Sequence, residues 1–351
     1  MDHAYYMQRA LELAKNGLGS VSPNPMVGCV IVYEGKIIGE GWHRQFGGPH
    51  AEVNAIDSVD DKTLLRKATV FVTLEPCSYH GKTPACSDLL IRNKVKKVVV
   101  ASLDPNPKVS GAGIKALKTS GTEVLTRICE NESIALNRRF FINQKLKRPY
   151  ILLKWAQTMD GFIARTNNDS KWISNELSRQ RVHQWRSEED AILVGKNTVV
   201  YDNPSLTVRD WQGANPVRIV LDRNLELNED YKLFDGEVKT LVYNTNESSQ
   251  QNGYERVKVE EKSFLENVLQ DLLSRDIGAV LVEGGSEVLT SFIELGLWDE
   301  ARVFTSEQKF EKGIGAPKLR EDLYKKEFIE KDKLEYYFNS KTQQHWQKNF
   351  N

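Results

Sequence analysis

The chain has 351 residues, 40% of them hydrophobic, enough for two domains with separate cores. Lys+Arg and Asp+Glu both number 48, so the formal net charge is zero and there is no broad basic footprint for nucleic acid. The longest apolar runs, such as 97–103, are far too short to span a bilayer. Four cysteines in a chain of this size do not make a disulfide framework. The N-terminus lacks the basic, apolar, small-residue order of a secretory leader. A soluble, cytoplasmic enzyme is the expectation.

In chain order, Met7, Ala10, Leu11 and Ala14 share one face of a helix over residues 2–15. Residues 28–32 and 36–41 read as a hairpin around Glu34-Gly35. A helical pattern begins near His50, an apolar strand covers 69–74, and a helix follows Pro84. A strand at 97–103, a helix from Gly113 and a short strand at 123–125 complete a three-layer α/β pattern. Residues 138–148 are rich in Arg and Lys and end in Arg148-Pro149. Proline disfavours helix at the residue before it, so the boundary falls there, giving domains 1–146 and 147–351. The basic run reads as a solvated helix end. Strands at 150–156, 191–194, 217–221, 239–243, 279–282 and 301–305, with helices at 176–186, 264–273 and 287–295, make a second α/β domain. The polar stretch 244–252 reads as an exposed loop. After about residue 306 the Lys- and Glu-rich stretch is expected as a helix with a loose tail.

The sharpest signal is His50-Ala51-Glu52 with Glu75-Pro76-Cys77 and Cys86. One imidazole and two thiolates suit tetrahedral zinc, and three protein ligands leave a fourth position for water. Bound zinc brings the pKa of such a water to about 7. Glu52, two residues after the histidine, is placed to move protons between that water and a leaving amine, the arrangement of zinc nucleobase deaminases. The competing reading is a closed structural site with His80 as fourth ligand, in which Glu52 and the Pro-Cys step have no role. Nucleic-acid and cytidine deaminases commonly place the second cysteine at Cys-x-x-Cys, whereas eight residues intervene here. Lys82 and Thr83 lie among them and suit a polar or anionic substrate. Cys29 and Cys129 read as buried small hydrophobes.

Thr73-Leu-Glu-Pro-Cys-Ser-Tyr-His-Gly-Lys-Thr-Pro-Ala-Cys86 resembles the zinc motif of the bifunctional riboflavin-biosynthesis deaminase/reductase family. Pro23-Asn-Pro-Met-Val-Gly28 and Gly47-Gly-Pro-His-Ala-Glu52 match the same family in the same order. The resemblance implies a cytidine-deaminase-like fold and deamination of 2,5-diamino-6-ribosylamino-4(3H)-pyrimidinone 5′-phosphate. It places Asn24 and His43 in the pyrimidine pocket, and Lys82 and Thr83 at the polar end of the substrate. The family usually has histidine where this chain has Tyr79. The second half carries Lys154-Trp-Ala-Gln-Thr-Met-Asp-Gly161, Ser170-Lys-Trp-Ile-Ser174, Val194-Gly-Lys-Asn-Thr-Val199, Asp202-Asn-Pro-Ser-Leu-Thr-Val-Arg209 and Val282-Glu-Gly-Gly-Ser286. This ordered set resembles the family's reductase half, which implies a dihydrofolate-reductase-like fold and NADPH. By resemblance Ala156, Trp172, Thr198, Asp202, Gly285 and Ser286 contact the cofactor. Ser170, Arg186, Leu206, Arg209 and Glu283 contact the substrate, with the two arginines on the 5′-phosphate. Asp202 is a further candidate for acid or charge-stabilising work. Asp222 falls where the family contacts cofactor, but Arg223 follows it here.

The expected partners are a small pyrimidine ribonucleotide and, as a homo-oligomer, copies of the chain itself. Nucleic acid and membrane are not expected. The rival readings are a zinc nucleoside or tRNA deaminase with a non-catalytic C-terminal domain, a chain with one inactive domain, and a zinc-stabilised binding module.

Overall fold

In the computed structural model, which describes residues 2–78, 85–106, 110–170 and 172–346, the chain divides into two compact units. The first runs to Lys147 and includes the described residues His345 and Trp346; the second is Arg148–Gln344.

The first unit contains α1 (His3–Lys15), β1 (Gly28–Tyr33), β2 (Lys36–Trp42), α2 (Ala51–Asp57), β3 (Thr69–Leu74), α3 (Cys86–Arg92), β4 (Lys97–Ser102), α4 (Ala112–Thr119), β5 (Glu123–Thr126), α5 (Glu130–Leu136) and α6 (Arg138–Leu146). Its sheet has the order β2-β1-β3-β4-β5, antiparallel across β2-β1-β3 and parallel across β3-β4-β5. Successive strand side chains point to opposite faces, and here both faces are covered. Cys29, Ile31, Val70, Val72, Val98 and Val100 pack with Ala51, Ala55 and Ile56 of α2, Leu90 of α3 and Leu117 of α4. Their neighbours Val30, Val32, Phe71, Val99 and Ala101 pack against Met7, Ala10 and Leu11 of α1. That is why these strands read as unbroken apolar runs rather than alternating ones.

The basic run 138–148 is not simply a solvated helix end. It forms α6, which buries Phe141, Ile142 and Asn143. The side chain of Asn137, between α5 and α6, accepts from the Met26 N–H at 2.8 Å and donates to the Met26 carbonyl at 2.9 Å. This bond pair fixes the loop that carries Asn24.

The second unit contains β6 (Tyr150–Gln157), β7 (Phe162–Ala164), α7 (Glu176–Glu188), β8 (Ala191–Gly195), α8 (Lys196–Asp202), β9 (Val217–Leu221), β10 (Thr240–Asn244), β11 (Ser249–Gln250), β12 (Tyr254–Lys258), α9 (Phe264–Ser274), β13 (Ala279–Val282), α10 (Ser286–Glu294), β14 (Glu300–Thr305), β15 (Ile314–Gly315), β16 (Leu323–Ile329) and β17 (Asp332–Phe338). The large sheet has the order β11-β12-β10-β9-β8-β13-β6-β14-β17-β16. From β12 through β14 every neighbouring pair is parallel. Ile151, Leu153, Leu193, Ile219, Val280 and Val282 face α9 and α10, while Ile192, Val194 and Val220 face Val199 and Leu206 on the other side. Arg148 opens this unit: it is buried, with its fork on Asp299 at 2.6 and 2.9 Å.

The expected C-terminal helix is instead the hairpin β16–β17, which extends the sheet through β14. Leu334, Tyr336 and Phe338 alternate along β17 with period two, and Leu334 is buried against the sheet. Charged residues on the exposed edge strand hide that pattern in the sequence.

Candidate active sites

In the first unit, His50 is the N-cap of α2, Cys77 follows β3 and Cys86 opens α3. Their Nδ1 and two Sγ atoms all lie within 4.8 Å of one another, the only such donor group among the described residues. His50 Nδ1 is 3.3 Å from Cys86 Sγ and 3.6 Å from Cys77 Sγ. Tetrahedral zinc bonds of about 2.3 Å to sulfur and about 2.0 Å to nitrogen place such atoms roughly 3.6 Å apart. The donors therefore fit zinc without rearrangement. Hydrogen bonds from Cys86 and then His50 push the Cys77 thiol down to about 4, and the Cys86 backbone N–H donates to the same sulfur at 3.2 Å. Cys77 is thus the thiolate of the pair, while the Cys86 thiol, which donates to it, is pushed up by that hydrogen bond and by burial.

Glu52 stands in the first turn of α2 with its carboxyl buried, outside the donor set. Burial first, and then the Cys77 charge, raise its pKa, which suits a group that must both take and give a proton. His43, just after β2, is buried, with its ring 5.5 Å from that of His50. Its Nδ1 faces the Pro49 carbonyl at 3.0 Å, so Nδ1 carries the hydrogen. Nε2 then accepts from the Asn24 amide at 3.1 Å. Burial lowers the His43 pKa, in keeping with this neutral tautomer. Asn24 and His43 are therefore brought together beside the metal donors. Lys82, Thr83, Tyr79 and His80 lie outside the described residues.

The sequence reading assigned no task to Glu75. Its carboxylate, also buried, accepts from the backbone N–H groups of Gly111 (3.0 Å), Gly113 (3.1 Å), Ile114 (3.4 Å) and Asp104 (3.4 Å). An acceptor at the N-terminus of α4 meets donors the helix cannot satisfy itself. The approach is so close that a Cβ at Gly113 would stand 2.1 Å from the Pro76 carbonyl oxygen. Glu75 thus clamps the segment after β4 against the residues that lead into Cys77. Asp104 on that segment is pushed up to about 6, by burial first and then by the Glu75 and Cys77 charges.

In the second unit, a cavity of about 790 Å³ opens over the carboxyl ends of the parallel strands, where ligands bind in such sheets. All eleven reductase residues named from the sequence line it: Ala156, Ser170, Trp172, Arg186, Thr198, Asp202, Leu206, Arg209, Glu283, Gly285 and Ser286. Gly284 and Gly285 shape its floor. A Cβ on Gly284 would lie 2.6 Å from the Val194 Cα, and Gly285 has φ +44°, where a Cβ would stand 3.5 Å from Thr198 Oγ1. The turn therefore brings the N-terminus of α10 to the cavity as bare backbone, the form that receives a phosphate.

Arg186 directs Nε and Nη2 to the Glu283 carboxylate at 2.8 and 3.0 Å, and Lys154 Nζ lies 3.7 Å away on the other side. Burial alone would raise the Glu283 pKa, but the charges of Arg186 and Lys154 overcome it and hold the carboxyl at about 2. Burial lowers the Lys154 pKa. Nothing in the sequence distinguishes Lys154 from other strand lysines; the fold brings its ammonium to the cavity. Arg209 is exposed, with its backbone N–H held by His183 Nδ1 at 3.2 Å. It precedes Asp210, which reaches the other nitrogen of the same ring at 3.3 Å. The Asp202 carboxylate accepts from Ser170 Oγ at 3.3 Å. Trp172 is exposed at the rim with the Arg179 guanidinium 4.5 Å over its ring. Asp222 also lines the cavity; it is buried, and its carboxylate accepts from the N–H groups of Glu226 (3.1 Å) and Leu227 (2.9 Å), folding the turn after β9.

Comparison with known proteins places both sites in one class. Residues 1–102 match the cytidine and deoxycytidylate deaminase zinc-binding region, and residues 149–306 match the RibD C-terminal domain. The pairing defines a zinc deaminase joined to a reductase. The riboflavin biosynthesis protein RibD of Aquifex aeolicus is 44% identical over 315 residues, covering 88% of each chain. That of Escherichia coli is 36% identical over 324 residues, covering 87% of each. A diaminohydroxyphosphoribosylaminopyrimidine deaminase/5-amino-6-(5-phosphoribosylamino)uracil reductase from Thermotoga maritima, 41% identical, gives a TM-score of 0.88 over 96% of this chain and 98% of its own. The chain belongs to the RibD family. It is a bifunctional enzyme of riboflavin biosynthesis, with a cytidine-deaminase-like zinc domain and a dihydrofolate-reductase-like domain that uses NADPH. Its substrate is a small pyrimidine nucleotide. No helix among the described residues is long and apolar enough to cross a membrane.

Proposed function

We propose that the chain deaminates 2,5-diamino-6-ribosylamino-4(3H)-pyrimidinone 5′-phosphate and then reduces the ribosyl group of the product to ribityl phosphate with NADPH. The first step is assigned to residues 1–146 and the second to the chain from 147 onward. The observation that carries this reading is the presence in one chain of a zinc-fitting donor triad backed by the buried Glu52 and a separate, cation-lined cavity.

In the deamination, zinc held by His50, Cys77 and Cys86 supplies the Lewis acidity that makes water a nucleophile near neutral pH. Glu52 takes a proton from the attacking water and returns one to the leaving amine. The neutral His43 orients the Asn24 amide at the pyrimidine ring, and Lys82 and Thr83 hold the polar end of the substrate. In the reduction, the closed ribosylamine must open before hydride can reach the anomeric carbon. Opening leaves an oxyanion that needs a proton and builds positive charge near that carbon. Asp202 is assigned to one of these tasks. The Glu283 carboxylate, held ionised by Arg186 and Lys154, accepts from ribose hydroxyls. Arg209 carries most of the 5′-phosphate, because the Arg186 fork is largely engaged by Glu283.

Zero net charge supports a small-molecule substrate over nucleic acid, and the need for two thiolates fits the reducing cytoplasm. Incubation of the purified chain with the diaminopyrimidine nucleotide tests the reading. Ammonia release without NADPH, followed by NADPH oxidation once it is added, is expected. Ammonia release from cytidine or tRNA but not from this nucleotide would favour a nucleoside or tRNA deaminase with a non-catalytic C-terminal domain.

A further inference from the structure

The cavity of the second unit crosses the ends of β6, β13, β8 and β9, which are neighbours in that order. Lys154 and Glu283, placed beside the substrate above, lie at the β6–β13 end. Gly285 and the head of α10 lie midway. Beyond β9 the wall is Asp222, Arg223, Asn224 and Glu226, with Phe264 and Leu265 at the head of α9. Three strand steps separate β6 from β9, roughly 14 Å, a span suited to a dinucleotide rather than to a nicotinamide alone. With the nicotinamide beside the ribose and the diphosphate over α10, the adenosine end falls over Arg223.

Of the six lysines and arginines lining the cavity, three have carboxylate partners: Lys154 and Arg186 meet Glu283, and Lys196 meets Glu226. Arg179 donates instead to the Ser174 carbonyl and Arg209 to Thr207 Oγ1. Arg223 makes no ion pair among the described residues, yet it is held in place. Its guanidinium carbon lies 4.6 Å over the Phe264 ring, and its backbone carbonyl accepts from Thr245 N and Oγ1, both at 3.0 Å. Asp222, its neighbour, is occupied by the turn it folds. A stacked guanidinium with unused donors is suited to a phosphate dianion.

We propose that Arg223 reads the 2′-phosphate of NADPH and so sets the preference for NADPH over NADH. The inference rests on the cavity being the cofactor site. Against NADH the same guanidinium meets only a ribose hydroxyl, a neutral and weaker acceptor.

The test is equilibrium binding to the full chain, with NADPH, NADH, 2′,5′-ADP and 5′-ADP as ligands. Arg223→Gln should weaken NADPH and 2′,5′-ADP by roughly 10–100-fold, the loss of a charge-assisted contact. NADH and 5′-ADP should change less than about twofold, since they lack that contact. Equal weakening of all four would mean that Arg223 serves adenine or the diphosphate, and no change in any would make it solvated surface; either overturns the assignment. Ser286→Glu checks the reading beneath it, because a carboxylate at the head of α10 should repel the diphosphate of both coenzymes. If it leaves both affinities intact, the cavity does not hold the dinucleotide in this orientation, whatever Arg223 does.

Discussion

The zinc corner of the first unit and the cavity of the second solve different recognition problems. In the first, three donor atoms and one carboxyl are concentrated in short segments at the ends of β3, α2 and α3, and are largely buried. In the second, eleven expected contacts spread from Ala156 to Ser286 over the ends of several strands, tied by ion pairs that reach across the sheet. A metal demands particular atoms at bond distances, so it constrains residue identity and local spacing. A dinucleotide and a sugar phosphate demand a long shaped surface, which many side chains share and no single motif announces.

The strongest way to break this contrast is to remove a metal ligand. Cys77→Ser or Cys86→Ser should abolish bound zinc by metal analysis and reduce ammonia release by more than about 10⁴-fold, a loss beyond that of a single acid–base group. Reduction of the already deaminated nucleotide should survive; its loss in step with zinc would show that the two sites are not independent. A step smaller, Glu52→Gln should keep zinc and lose roughly 10²–10⁴-fold in deamination, the usual worth of a general acid–base group. Near-normal ammonia release from the zinc-loaded variant would remove Glu52 from the mechanism.

Asp202→Asn asks whether the second site contains one residue of comparable weight. Single-turnover hydride transfer should slow by roughly 10²-fold while NADPH affinity by fluorescence stays unchanged. Weaker NADPH binding with normal hydride transfer at saturation would make Asp202 a binding residue only. Glu75→Gln probes the support of the zinc corner rather than its chemistry. Loss of the charge that meets four backbone N–H groups should cost about 3 kcal/mol of stability, read as faster hydrogen exchange at Gly113 and Ile114. Unchanged exchange there would mean that the clamp is not needed.

The smallest expected effect concerns acid. Glu283 has a folded pKa of about 2 against an ordinary value of 4.5. A carboxyl lowered by folding adds stability above its unfolded pKa and loses it as pH falls towards the folded value. Between pH 5 and pH 3 the wild-type chain should lose about 2 kcal/mol through this group, measured as a falling urea midpoint for the second unit. Glu283→Gln should flatten that part of the profile, and an identical slope in the variant would exclude the buried cluster as its source.

Legibility followed the same division. His50, Glu52, Cys77 and Cys86 could be assigned from spacing and donor type, and the central strands from their unbroken apolar runs. The cavity residues were recognisable only as an ordered set resembling a family. Lys154 was passed over because a lysine inside a strand looks like any other until the fold turns it inward. Glu75 was seen as part of a motif but not as a clamp, since its four partners lie 29 to 39 residues away.

By itself the sequence determined the alternating α/β elements of both units and the zinc donor set, because periodicity and ligand chemistry are local properties. Tertiary structure alone decided that Arg148 is buried on Asp299 rather than solvated. It likewise turned the charged stretch after Thr305 into a sheet-extending hairpin and left Arg223 without a carboxylate partner beside the cavity. Each of these depends on partners far along the chain: a charge is stable inside only when its counter-charge is brought to it, and a strand forms where a neighbouring edge stands open to receive it.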